Sequence, residues 1–216
     1  MLEANRKPRG IIISTIEKVM KKAYIQATET GFRSEWRKIV GWVDQEVIKD
    51  QDISQTEIME RVKNESEHIL KFLSHWYNKI YLKENVAAFV DLALEVQLGN
   101  HIVSGSIPII RAFEFPAIII LSDVVRNEWE LYNDIEIRGL GWLALQALQV
   151  SNLLIDCLTI GPNGGFITNR VKITEETSRT ARKMIKDITK NIGNGQDYPS
   201  VTSKCQTCPF QRRCII

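Results

Sequence analysis

Long apolar runs are missing from this chain of 216 residues. The longest, VAAFV from Val86 and AIIIL from Ala117, hold five residues each, where a membrane span needs about 20. The opening stretch MLEANRKPRG has no apolar core of signal-peptide length, so neither a membrane partner nor secretion is expected, and a cytoplasmic location is. Cysteine is scarce: four residues are too few for a disulfide scaffold in a chain this long. Charge of one sign is also lacking. Lys and Arg total 28 against 26 Asp and Glu, leaving a net charge of +2 and a pI of 8.3. A strong nucleic-acid footprint would be a pI above about 9 or a clear basic stripe, so the balance permits a phosphate partner without arguing for one. There is no P-loop, no Gly-x-Ser-x-Gly and no dinucleotide-binding glycine pattern. No repeat or low-complexity segment is found, and no glycine or proline interrupts residues 42–98.

What is present is an ordinary globular composition, 44% hydrophobic and 25% charged. Apolar residues at three-to-four spacing predict a helix through Ile12, Ile16, Val19, Met20 and Ala23 and a second through Trp36, Ile39, Val43 and Val47. A third, opened by a Ser54–Glu57 capping box, carries Ile58, Val62, Ile69, Phe72 and Trp76. Near Asp91 the period changes from helical to alternating, and strands are predicted at about 91–98, 101–114 and 117–125. The apolar start of the last predicts a central strand. Pro108 cannot donate to a ladder, so an edge or a bulge is expected there. Residues 134–158 read as one helix lying across the sheet, and 166–173 as a strand after a Gly161–Gly165 turn. Thr174 is expected to cap a last helix, with Met184, Ile185, Ile188 and Ile192 inward and Arg179, Lys183, Lys186 and Lys190 outward. The fold class is therefore α/β. The expected organisation is an N-terminal helical lobe (1–85), an α/β core (86–195) and a cysteine-containing tail (196–216).

The tail carries the strongest chemical signal. Cys205 and Cys208 are separated by two residues and Cys208 and Cys214 by five, a spacing that lets three thiolates converge on one metal. Zinc and a 4Fe–4S cluster both fit; three ligands are one short, so the fourth is Cys157 or comes from another chain, or the site is zinc or vestigial. Lys183, Lys186 and Lys190 are the candidate phosphate contacts. His68, His75 and His101 have no metal-ligand spacing, and the five tryptophans (Trp36, Trp42, Trp76, Trp129, Trp142) read as core or partner surface.

The tail, with the ITEE helix and Asn194-Gly195 before it, resembles the C-terminal end of RecB-type nucleases of the PD-(D/E)XK superfamily, which include the iron–sulfur helicase–nucleases and the CRISPR-adaptation exonucleases. LEVQLGNHIVSGSIPII (94–110) resembles the family's strand pair, with Glu95 at a common acidic position. AIIILSDVV resembles the (D/E)-x-K strand, IEIRGLGWLALQAL (135–148) the Gln-x-x-x-Tyr helix and RGIIISTIEKV the Gly-x-x-x-His helix. The resemblance implies a restriction-endonuclease-like core sheet flanked by helices. The chain departs from it at the chemistry. The family's metal-binding Asp falls on Pro108, and the (D/E)-x-K triplet on Leu121–Asp123 or Ser122–Val124. The Gln-x-x-x-Tyr positions fall on Arg138 and Trp142, and the helix-one His on Ile13 or Ser14. Iron–sulfur members also take a fourth cysteine from ahead of helix one. The expectation is a catalytically degenerate nuclease-like protein, not an enzyme and without Mg²⁺. It would serve as a DNA-binding or structural subunit of a DNA-processing complex, with DNA and a protein as partners. Two alternatives stand beside it: an active Mg²⁺-dependent exonuclease with a site displaced to Glu114, Asp123 and Arg126, and a viral or other protein-interaction module on the same fold.

Overall fold

The computed structural model describes residues 8–49, 55–83, 88–111, 115–122, 124–161 and 166–193. Three helices come first: α1 (Pro8–Thr30), α2 (Trp36–Lys49) and α3 (Gln55–Trp76), the last running on into a π-helical turn, Tyr77–Tyr81. Strands β1 (Ala88–Leu98), β2 (His101–Arg111) and β3 (Ala117–Ser122) form an antiparallel meander. Helices α4 (Glu128–Asn133) and α5 (Ile135–Leu148) then carry the chain over to β4 (Asn152–Ile160), which pairs parallel to β3. Strand β5 (Phe166–Thr174) returns antiparallel to β4 and leads into α6 (Glu175–Gly193). The result is one mixed five-stranded sheet in chain order, flanked by helices, with β3 at its centre and β1 and β5 as its edges. The α/β class and the sheet expected from the sequence are present. The Ser54 cap, Glu114, Asp123, most of the Gly161–Gly165 turn and the three tail cysteines lie outside the described residues.

Two apolar layers hold the sheet between them. On one face Ile16, Met20, Tyr24, Ile39, Phe72 and Trp76 from the N-terminal helices pack with Ile109, Ile119 and Leu158 of the sheet. On the other, Trp142 and Leu145 of α5 pack with Ile110, Ile118, Ile155, Val171 and Ile173. The helix expected over 134–158 is corrected here. It stops at Leu148, where Gln149 takes the left-handed conformation (φ 53°), and 152–160 is the strand β4. That strand is buried on both faces: Leu153 and Ile155 serve one layer and Leu158 the other. A strand with no polar side has no alternation to read, so its leucines continued the helical pattern of α5 by coincidence. Strand β3 likewise ends at Ser122, short of 125, and residues 112–114 of the expected second strand lie outside the described residues.

Pro108 sits at a break in the β1–β2 ladder. Pairing runs Val90↔Ile109 and then Leu92↔Ile107, leaving Pro108 and Asp91 opposite each other and unpaired. Proline has no N–H to give, and Asp91 adopts a left-handed φ of 50°. Both strands change face at this point. Ala88, Val90 and Ile109 join the layer under α1–α3, while Leu92, Leu94 and Ile107 join the layer under α5. Lys21 of α1 ties the break down through an ion pair with Asp91 at 2.6 Å.

The last helix is also corrected in part. Thr174 caps it, its hydroxyl accepting from the Thr177 N–H at 3.3 Å, and Ile185 packs inward. Met184 and Ile188 are exposed at 43% and 45%, because at i and i+4 they share a stripe beside the lysine face and not the one that meets α5.

Candidate functional site

Three strands place a polar cluster inside the face covered by the N-terminal helices. Arg111 ends β2, Asp156 lies mid-way along β4, and Arg170 is its register partner on β5. Arg111 and Asp156 are fully buried; the side chain of Arg170 is 51% exposed. Arg170 grips the carboxylate as a fork, Nε donating to Oδ1 at 2.6 Å and Nη2 to Oδ2 at 2.9 Å. Arg111 donates through Nη2 to the same Oδ2. On the intervening β3, the register partner of Arg111 is the small Ala117. Tyr24 of α1 lies within electrostatic range of both Arg111 and Asp156, and burial pushes its phenol up to about 12. Burial draws the Arg111 guanidinium down from its ordinary value, while the hydrogen bond to Asp156 raises that of Arg170.

Asp156 accepts three charge-assisted bonds from two guanidiniums, so three of its roughly four lone-pair sites are engaged and it is a poor ligand for a hard divalent cation. The cluster opens to solvent at Arg170 on the edge strand, where Lys172 is exposed two residues on.

On the opposite face a cavity of 260 Å³ is lined by Ile120, Ser122, Arg126, Glu136, Ile137 and Cys157, among others. Burial raises the Cys157 thiol above its ordinary value, which makes it a protonated core thiol with little reactivity.

The other residues singled out from sequence fall as follows. Lys183, Lys186 and Lys190 are exposed on one side of α6, as is Arg179. Arg126 pairs with Asp134 and reaches the 260 Å³ cavity. Glu95 is exposed on β1. Arg138 stacks on Tyr132 at 4.9 Å, and Trp142 is buried. His75 meets the Lys71 carbonyl at 2.9 Å and stacks on Phe166. Among the described residues no group of three or more His, Cys, Asp or Glu side chains is placed to hold a metal. The Arg111–Asp156–Arg170 cluster was not found by sequence reasoning. Its one signal was the lone acid inside the apolar run LLIDCLTI, where an unpaired carboxylate would be untenable.

No protein-family model and no curated protein matches the chain. Solved structures do, these two among them. One is a protein of Eubacterium rectale named as a putative exonuclease, 12% identical, with a TM-score of 0.51 over all of this chain and 93% of that one. The other is SSO0001, also 12% identical, with a TM-score of 0.41 over 96% of this chain and 95% of that one. At the first of these scores the chain shares the fold of the protein named as an exonuclease.

Proposed function

We propose that this chain is a nuclease-fold protein of the PD-(D/E)XK, RecB-like type that holds DNA without cutting it, as a binding or structural subunit of a DNA-processing complex. One observation carries the reading. The adjacent strands β2 and β3 present Ile109, Arg111, Ala117, Ile119 and Leu121 toward the N-terminal helices, and the first four are buried. Mg²⁺ chemistry of this kind needs a pair of carboxylates around the ion; these five residues include no acid, and Asp156 on the next strand is held by two guanidiniums. The fold shared with the protein named as an exonuclease supports the nuclease-like part of the reading. Lys183, Lys186 and Lys190, with Arg170 and Lys172 on the edge strand, are the proposed phosphate contacts.

The tail cysteines Cys205, Cys208 and Cys214 are proposed to hold zinc or an iron–sulfur cluster, for which three thiolates are suitable donors. Cys157 fits poorly as a fourth ligand, since its thiol is buried in β4 and held protonated. When bound, the metal supplies a cross-link for the C-terminus.

The deciding experiment is digestion of single- and double-stranded DNA with Mg²⁺ and with Mn²⁺, beside a binding titration. Binding without cleavage is the expected result. Cleavage that vanishes on Glu114→Ala or Asp123→Ala would establish a displaced active site and overturn the reading.

A further inference from the structure

Between β3 and α5 the surface is apolar. Val124, Val125, Trp129 and Ile135 are exposed at 52%, 53%, 74% and 42%. The first three line a shallow groove of 400 Å³. The segment is fixed, not loose. Asn127 and Glu130 close a reciprocal capping box at 2.9 and 2.8 Å, and the Asp134 carboxylate accepts from the Glu136 N–H at 2.8 Å and pairs with Arg126. Large apolar side chains held out into water on a rigid support mark a contact surface. The rim decides what it contacts. Glu130 and Asp134 line it, and Glu128 and Glu136 are exposed on the same segment, whereas Arg126 is engaged by Asp134 and Arg138 lies over the Tyr132 ring. A carboxylate rim repels a phosphate backbone and favours a cationic, apolar peptide.

The chain itself has such a peptide. From Tyr198 to Ile216 there is no acidic residue, and the last eight residues, PFQRRCII, combine Phe210, Ile215 and Ile216 with Arg212 and Arg213. We infer that the groove between β3 and α5 is the seat of this C-terminal segment, residues 209–216. Reach is sufficient. The sixteen residues from Gly193, the end of α6, to Pro209 span up to about 55 Å when extended. A domain of this length has a radius of gyration of about 17 Å, so much of its surface lies within that reach. A tethered segment also meets its seat at an effective concentration in the millimolar range, which makes a small apolar contact sufficient. The inference does not depend on DNA binding, and its test keeps all three tail cysteines.

The test is hydrogen–deuterium exchange on the full chain. Three proteins are compared at several concentrations: the wild type, a tail variant (Phe210→Ser, Arg212→Glu, Arg213→Glu) and a groove variant (Val125→Glu). Amides of residues 124–135 are expected to exchange several-fold faster in the tail variant. Those of 209–216 should speed up to a similar degree in the groove variant. In both, exchange in β4 stays as in the wild type, which shows that the fold is intact. The inference is overturned if the two segments exchange independently of each other. It is equally overturned if protection of 124–135 rises with protein concentration, which would mean a second copy fills the groove, or if it arises only on adding a DNA oligonucleotide.

Discussion

Arg111 reaches across β3 to share the Asp156 carboxylate with Arg170, so that residues 45 positions apart in sequence are joined beneath the N-terminal helices. The pair between Arg111 and Asp156 is fully buried, and its two halves depend on each other. Asp156→Ala removes the carboxylate that the buried Arg111 pairs with, and a loss of about 3–5 kcal/mol is expected in urea denaturation. Arg170→Ala removes a half-exposed partner and should cost about 1 kcal/mol. The double change Arg111→Met with Asp156→Leu should recover most of the loss, because apolar groups of similar volume need no counter-charge. A double variant as unstable as Asp156→Ala alone would refute this account of the pair.

Two glycines of α5 should respond with opposite signs. A Cβ on Gly141 would lie 2.8 Å from Ile173 Cγ2 and 3.3 Å from its Cβ, close to a β-branched side chain with little freedom. Gly141→Ala is expected to destabilise by about 1–3 kcal/mol. Gly139, two positions earlier on the same helix, has nothing within 4 Å of its Cβ site. There alanine should stabilise by about 0.5–1 kcal/mol through helix propensity and lower unfolded-state entropy. Thermal melting of both variants checks the pair.

Alkali should weaken the fold through Tyr24. Burial pushes its phenol up to about 12 from an ordinary 10.0. A raised pKa means the folded protein holds the proton more tightly. The stabilisation is therefore whole below pH 10 and is lost as the pH rises through 12. Two pH units correspond to about 3 kcal/mol. The buried Cys157 thiol, also raised, acts in the same direction. Tyr24→Phe should flatten the stability profile between pH 10 and 12, measured by urea denaturation at each pH. An unchanged profile would mean that Tyr24 ionises freely in the folded state.

If α6 follows a phosphate backbone, replacing Lys183, Lys186 and Lys190 together by Glu should weaken DNA binding. The salt slope should also flatten by about 0.7–0.9 per lost contact. A titration at several salt concentrations measures both. An unchanged slope would leave these lysines as a solvated helix face.

Metal analysis of protein purified without oxygen tests the tail. Zinc, or iron with visible absorption, is expected in the wild type and should fall in Cys208→Ala. Release should also increase as the pH falls, since thiolates must be deprotonated to bind. Equal metal content in the two proteins would exclude Cys208 as a ligand.

The readable parts of the sequence were those with one wet side. The amphipathic α1, α2 and α6 and the meander β1–β2 present alternation or a helical stripe because solvent meets them on the other face. Strand β4 is buried on both sides and carried no such contrast, so Leu153, Leu154 and Ile155 read on from α5. The polar cluster was hidden for a different reason. Arg111, Asp156 and Arg170 form no spaced motif, and only the strand order β2-β3-β4-β5 assembles them. Met184 and Ile188 were misassigned because an apolar residue at helical spacing signals a contact without naming the partner.

The change of face at Asp91 and Pro108 has a mechanical consequence. A single hairpin contributes side chains to both apolar layers, Val90 and Ile109 to one, Leu92 and Ile107 to the other. Detaching the N-terminal helices therefore loosens the same two strands on which α5 rests. The layers are coupled through a shared beam, and heating should produce one cooperative transition in which helix and sheet signals disappear together.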